Sequence, residues 1–509
     1  MSEEKTRVVW RDPERYFKEI GHDFDLEFQN NGKFMRYMKG RAVKPFLMGD
    51  LFKKLSLVEF DETKDRQVYH SDKSCLFSRF EVEGITRYKE IVKDPDISVA
   101  WCPRHRFTGD YIGMQPLLVD CVYKSLDESS ESMEGEKQSH KYLMIPGGDN
   151  LFVRGFSTIL KKFGTFMFLR KDKAFSLKKK DIEEINQNMP LVKYFIDKDG
   201  KRRMIDSEHE ENVGELETLL ADKKVEQFLD ERYYLTNVLP SYLEQQMFEG
   251  VNGRTYDIMP FVEYKIGVNG KVSTGRSKTG ELGDMSPLFF KHLYRILQRH
   301  KGEKELLIVP SNMSGSKYPD ALNFVGKPSF LLGLSRSLKY IMDSNYFWIR
   351  YPHYAEKHPE AKIEATVKFG EPISLSEFNK KSVVDDLPGI LRKRIGLLET
   401  PYPVAVLCKL MEGESEVLYS VLNERFKPLL EYYQKLGIDV SKITSPNGNP
   451  LDAEDLTERV ALTLNSNPRI YSKGGNYSKK IIEPRQFSVR SNNSDLQVWY
   501  ANMLKHLEI

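Results

Sequence analysis

Between residues 95 and 375, short apolar runs of strand length alternate with stretches whose apolar residues fall three or four apart. This alternation narrows the possible folds more than any other feature. ISVAWCP (97–103), KYLMIPG (141–147), TFMFLR (165–170), YDIMPFVEY (256–264), ELLIVPS (305–311) and KIEATVKFGEPI (362–373) read as strands. Between them, YIGMQPLLVDCVYKSL, NLFVRGFSTILKKFG, a long segment near 223–248 and SPLFFKHLYRILQRH have helical spacing. Strands that alternate with helices are joined by crossovers, which makes the sheet mostly parallel and covers both its faces. The expected class is therefore α/β.

The flanks read differently. Residues 1–92 mix amphipathic stretches with polar breaks, and DPERYFKEI and ITRYKEIVK predict an N-terminal helical region. After residue 376 the strands fade. LPGILRKRIGLL, VAVLCKLM, SEVLYSVLNERFKPLLEYYQKL, EDLTERVALTL and DLQVWYANMLKHLEI predict a C-terminal helical domain over 376–509. The core is then 93–375, interrupted by two polar stretches, 127–140 and 197–215, whose Ser, Gly and charge mark mobile surface insertions. No internal repeat is visible.

Composition removes several function classes. Aromatic residues make up 12% of the 509, and 77 Lys+Arg face 74 Asp+Glu, so the chain is neither disordered nor a bulk binder of nucleic acid. No run approaches 18 uncharged apolar residues, which argues against a membrane-crossing helix. The opening MSEEKTRVVWRDPERYF has no apolar core, so no secretory signal is expected. Four cysteines without a C-x-x-C pair suggest neither a disulfide framework nor a zinc site. These features predict an intracellular protein, soluble or peripheral to a membrane.

The run WCPRHRFTGDYIGMQPLL (101–118) is the most informative. A strand ends at Pro103, a short loop carries His105, and Asp110 falls in the first turn of the next helix, where the helix dipole favours a carboxylate. Loops at the carboxyl ends of parallel strands are where such sheets place their sites. A neutral imidazole oriented by a carboxylate can take a proton from a hydroxyl near pH 7. The same H-x4-D spacing also fits a loop histidine before an ordinary acidic helix start. Cys102 ends an apolar strand and reads as a buried small residue rather than a nucleophile.

Further runs follow in order: GGDNLF (147–152), ILKKFGTFMFLRKD (159–172), TGRSKTGEL (274–282), LLIVPSNMSG (306–315) and VKFGEPISL (367–375). Together with HRFTGD they resemble the glycerol-3-phosphate acyltransferase family within the glycerolipid acyltransferases. The resemblance spans about residues 97–375 and continues more weakly into ETPYPVAVLCKLM and WYANMLKHL. It implies a glycerolipid acyltransferase-like core, His105 as general base and Asp110 as the group that fixes its tautomer. It also implies an acceptor-phosphate site that draws on Arg170, Lys171, Arg276 and Lys278, with Arg106 and Ser277 among the substrate-binding residues. Gly275 and Gly280 would let the backbone approach substrate, and Pro310 would end a strand lining the pocket.

Several positions depart from the family's pattern. Lys171 stands where a second arginine is usual. Ser273 and Thr274 precede Gly275 where the family carries Glu, and the nearest acid is Glu263, beyond an apparent insertion at 264–274. Phe107 and Gly109 also differ from the usual residues. The implied reaction moves a fatty acyl group from acyl-CoA or an acyl carrier protein to the sn-1 hydroxyl of glycerol 3-phosphate, with no cofactor and no metal. Dihydroxyacetone phosphate or a lysophosphatidate as acceptor, and a catalytically silent lipid-binding scaffold, stand as alternatives. The implied location is the cytoplasmic face of a membrane, held peripherally.

Overall fold

The computed structural model describes residues 7–10, 56–70, 77–106, 110, 114, 117–123, 140–148, 165–168, 192–196, 202–204, 243–249, 254–266, 272–274, 279–318, 321, 355, 358–445, 447–466 and 480–507. Its strands in chain order are β1 (Arg7–Trp10), β2 (Ser56–Asp61), β3 (Arg66–His70), β4 (Phe77–Glu83), β5 (Ile97–Pro103), β6 (His140–Gly148) and β7 (Thr165–Phe168). Next come β8 (Val192–Ile196), β9 (Arg202–Met204), β10 (Arg254–Ile258), β11 (Glu263–Ile266), β12 (Val272–Thr274) and β13 (Asp284–Met285). The remainder are β14 (Glu305–Gly315), β15 (Ile363–Phe369), β16 (Ile373–Ser374), β17 (Glu416–Leu418), β18 (Ile482–Pro484) and β19 (Ser488–Ser491).

A ten-stranded sheet in the order β2-β3-β4-β15-β14-β5-β10-β6-β7, with β16 on β14, forms the centre. From β14 to β7 every neighbour is parallel, as is the β15–β4 pair; β2–β3, β3–β4, β14–β15 and β14–β16 are antiparallel. The architecture is thus α/β with a mixed, mostly parallel sheet. β5 and β14 lie at its middle, and nearly every side chain in each is buried. That explains the apolar runs Val99–Pro103 and Leu306–Pro310, since a strand covered on both faces has no polar side.

The structure differs from the sequence reading at both flanks. Within 56–92 the helix Thr86–Ile91 is present, but β2, β3 and β4 also lie there and extend the central sheet. FSRFEVE carries Arg79 and Glu83 on half-exposed positions and Glu81 buried against Arg79 and Lys442, so its strand character is hidden beneath a charged sequence. The predicted single run YDIMPFVEY is two strands, β10 and β11, broken at Met259–Val262. β14 continues past Pro310 to Gly315, so Pro310 sits inside the strand rather than ending it. Pro310 lacks an N–H to donate, and its carbonyl accepts the Gly370 N–H at 2.9 Å.

The helix Pro287–Arg299 crosses back between β10 and β14, starting with Pro at its first turn. Its apolar stripe (Phe290, Leu293, Ile296, Leu297) is buried, so that stripe is core. The predicted helices beyond residue 376 are present as Leu387–Leu397, Pro403–Leu410, Tyr419–Lys435, Ala453–Asn465 and Ser494–Ala501, together with a small sheet β17-β19-β18. Asp452 and Asn493 cap two of them, accepting backbone N–H groups of Asp455 at 2.7 Å and Leu496 at 3.0 Å. Their buried residues, among them Leu407, Leu422, Trp499 and Tyr500, join Trp101, Phe369 and Val309 of the sheet in one hydrophobic core. No described helix is long and apolar enough to cross a membrane.

Of the other predicted elements, the helix 150–164, the polar stretch 127–139 and most of 223–248 lie outside the described residues. Part of 197–215 is seen, where β9 pairs with β8.

Candidate active site

Because β5, β10, β6 and β7 run parallel, the loops that follow them leave the sheet along one edge. β5 ends at Pro103, as its sequence predicts, and releases Arg104–His105–Arg106. Such an extended stretch sends alternate side chains to opposite sides. The His105 ring remains partly exposed, while Arg104 and Arg106 are both buried. Asp110, helical and fully buried, returns its carboxylate toward the loop.

Asp110 Oδ2 lies 3.3 Å from His105 Nδ1 and accepts the backbone N–H of Arg106. One carboxylate therefore holds both the ring and the turn that carries it. An Nδ1–H directed at Asp110 assigns proton uptake to Nε2. The ring also rests on Phe261, centroid to centroid at 4.4 Å. The pairing expected from the H-x4-D run is thus present, and its local cause is the strand end followed by a helix start.

Glu263, the first residue of β11, belongs to the same cluster. β11 and β12 form a hairpin in which Tyr264 pairs with Thr274, so the insertion folds back on itself and returns the chain beside Glu263. The Glu263 carboxylate is buried, accepting the His105 N–H at 3.2 Å and the Gly283 N–H at 2.6 Å. Gly283 has no room for a side chain, because a Cβ there would meet the Tyr264 carbonyl oxygen at 2.5 Å.

β5 and β10 share only a short ladder, and a buried network reinforces it. Asp257 of β10 accepts the Val99 N–H at 2.7 Å and the Tyr123 hydroxyl at 2.7 Å. The Tyr123 oxygen in turn accepts the Trp101 indole N–H at 2.9 Å. Burial raises both the Asp257 carboxyl and the Tyr123 hydroxyl above their ordinary values. The network locks the strand that leads to His105 against the strand that leads to Glu263.

On the other side of the loop, the guanidinium groups of Arg104 and Arg106 share Glu399, which follows the helix Leu387–Leu397. Arg104 Nη1 lies 2.9 Å from one Glu399 oxygen, and Arg106 Nη1 lies 2.8 Å from the other. Arg106 also donates to Tyr318 at 2.8 Å and to Asn312 at 3.2 Å. Burial pushes the Glu399 carboxyl up, but Arg106 and Arg104 outweigh it and hold it at about 2. Burial and the neighbouring Arg106 lower Arg104 to about 10, which leaves it charged at neutral pH. Of the residues assigned to substrate, Arg106 therefore has its guanidinium in this internal cluster, and Pro310 lies in β14 paired with Cys102. Arg170, Lys171, Gly275, Arg276, Ser277 and Lys278 lie outside the described residues.

Cys102 is fully buried, and burial pushes its thiol well above the ordinary range, which suits packing rather than nucleophilic attack. Among the described residues, Glu244, Glu249 and His300 bring ligand atoms within 4.8 Å of one another. Arg299 already engages both Glu244 oxygens and His300 Nε2 lies 3.0 Å from Oε1, making this a neutralised ion pair. It sits at the amino-terminal edge of the sheet, away from His105.

Sequence reasoning missed Arg104, Glu399 and Phe261. The alternation Arg-His-Arg could have shown two arginines pointing away from the histidine. Nothing local identifies Glu399, 295 residues from Arg104, as their partner. No protein-family model matches the chain, and no curated protein matches it.

Proposed function

We propose that the chain is an acyltransferase that moves a fatty acyl group from a thioester to the sn-1 hydroxyl of glycerol 3-phosphate. The observation that carries this reading is the His105–Asp110 pair, 3.3 Å apart at the carboxyl end of a central parallel strand. Its resemblance to the glycerolipid acyltransferases, block by block and in order, supplies the substrate classes.

In this mechanism His105 Nε2 takes the proton of the acceptor hydroxyl while Asp110 stabilises the imidazolium through Nδ1–H. The hydroxyl oxygen attacks the thioester carbonyl, and a tetrahedral oxyanion forms. Its collapse breaks the C–S bond, and the proton on His105 passes to the departing thiolate. No side chain becomes acylated, so the buried Cys102 has no part. Glu263, through the His105 N–H, fixes where the ring starts. Arg170, Arg276 and Lys278 are assigned to the acceptor phosphate, where guanidinium groups can hold oxyanions bidentately.

Association with a membrane surface is part of the proposal, because the product is a lipid. Leu418, at the end of β17, and Phe487, in the turn between β18 and β19, support it as neighbouring exposed apolar side chains, where Tyr419 N–H donates to the Phe487 carbonyl.

The test offers palmitoyl-CoA, then a palmitoylated carrier protein, with glycerol 3-phosphate, dihydroxyacetone phosphate or lysophosphatidate in separate assays, with and without anionic vesicles. Product from glycerol 3-phosphate alone, lost in His105→Ala, is the expected result. Product from another acceptor would reassign the substrate. No product from any combination would leave the lipid-binding scaffold as the better reading.

A further inference from the structure

The segment that completes GRSKTG is held from outside the sheet. Three consecutive residues, Thr279, Gly280 and Glu281, each receive a side chain. Asn502 Nδ2 donates to the Thr279 carbonyl at 2.9 Å, Arg104 Nη2 donates to the Gly280 carbonyl at 2.7 Å, and Lys505 Nζ lies 2.7 Å from Glu281 Oε1. Gly280 has φ of +82°, and a Cβ on it would stand 2.0 Å from the Trp499 carbonyl oxygen. The close approach that requires this glycine is therefore to the C-terminal helix.

Arg104 belongs to all the elements that meet here. Its backbone immediately precedes His105. Its guanidinium donates to Glu399 at 2.9 Å, to the Met503 carbonyl at 3.3 Å and to Gly280. A planar guanidinium presents several donors in fixed directions, so one side chain can satisfy three acceptors at once where an ammonium on a flexible stem is less able to. The side chain is buried, so water does not compete for those acceptors.

We propose that Arg104 is a positioning residue for the acceptor, coupling the general-base loop to the GRSKTG segment through the C-terminal residues Trp499–Lys505. This rests on the acyltransferase reading for its catalytic consequence but not for the coupling itself. When the clamp loosens, the phosphate-binding segment and the base shift relative to each other. The acceptor then binds less well, while the thioester site is unaffected.

Two variants test this, Arg104→Lys inside the clamp and Asn502→Ala at its exposed side. Hydrogen–deuterium exchange of peptides spanning 274–285, measured beside those spanning β14, reads the coupling without any activity. Faster exchange confined to 274–285 in both variants is expected. Unchanged exchange there in both variants, or an equal rise throughout the core, would overturn the proposal. In the transfer assay the acceptor KM should rise about tenfold, the order of one lost charge-assisted hydrogen bond. The donor KM should stay within about twofold. A wild-type protein with no transfer would refute the acyltransferase reading, while the exchange result would still decide whether Arg104 couples the two segments.

Discussion

The Glu263 carboxylate accepts the backbone N–H of His105 at 3.2 Å, across 158 residues of sequence. Its other oxygen takes the Gly283 N–H, so both oxygens face backbone donors in a buried site. Glu263 thus anchors the backbone that carries His105 from far along the chain.

Glu263→Gln tests that support. The amide retains one acceptor oxygen but turns an NH2 group toward the second N–H, leaving a buried donor unsatisfied. Stability should fall by about 1–3 kcal/mol. Turnover should fall further than the loss of folded protein explains. Urea denaturation beside kcat gives both numbers, and a drop in kcat that merely tracked unfolding would rule out a role in aligning His105.

His105→Ala should reduce turnover by about 10²–10⁴-fold. Its ring rests on Phe261, so stability should also fall by about 0.5–1.5 kcal/mol. Asp110→Asn keeps an oxygen for the Arg106 N–H but withdraws the charge that favours the imidazolium. It should lower kcat with little change in either KM, as initial-rate kinetics would show.

Acid stability should begin to fall near neutrality. His506 is buried against Gly396 and close to Glu399, and burial, followed by the charge of Arg104, lowers it from 6.5 to about 3. Burial and the nearby Arg295 and Lys291 likewise lower His292 from 6.5 to about 4. The unfolded chain takes up these protons near pH 6.5 and the folded chain does not, so stability is full above 6.5 and lost below it. Between pH 7 and pH 5 each histidine should cost roughly 2 kcal/mol. His506→Gln, whose amide can still donate to the Gly396 carbonyl, should flatten that slope in urea titrations at several pH values. Glu399 acts lower: its depressed pKa contributes stability above 4.5 that disappears as pH falls toward about 2.

Gly280→Ala should destabilise by more than 1 kcal/mol, since it meets both an unfavourable φ and the Trp499 carbonyl. Thermal melting reads this directly. Gly302→Ala is the control, with a similar φ of +89° and open space around it, and should cost less.

The sequence made legible whatever its own periodicity carried. β5 and the Leu306–Pro310 run of β14 are nearly all apolar because both faces are covered, and the loop carrying His105 follows from a strand end before a helix start. Pro310 was misleading because a proline can sit inside a strand when its missing N–H is not needed. β4 was hidden because FSRFEVE, with its partly exposed positions, resembles a polar helix more than a strand. The hairpin that restores Glu263 depends on the register Tyr264–Thr274, which a run of Lys, Gly, Val and Asn does not declare. Glu399 was beyond reach for a different reason: its role exists only after two distant segments have packed against Arg104 and Arg106.

That dependence sets an order for biogenesis. Ribosomes deliver His105 and Asp110 early, yet β14, the neighbour of β5, arrives about two hundred residues later, and the Glu399 and Met503 partners of Arg104 later still. Pairings so remote in sequence are slow to form. Until they form, the nascent loop holds two arginines without their carboxylate. The polypeptide should therefore remain inert, and attractive to chaperones, through most of its synthesis.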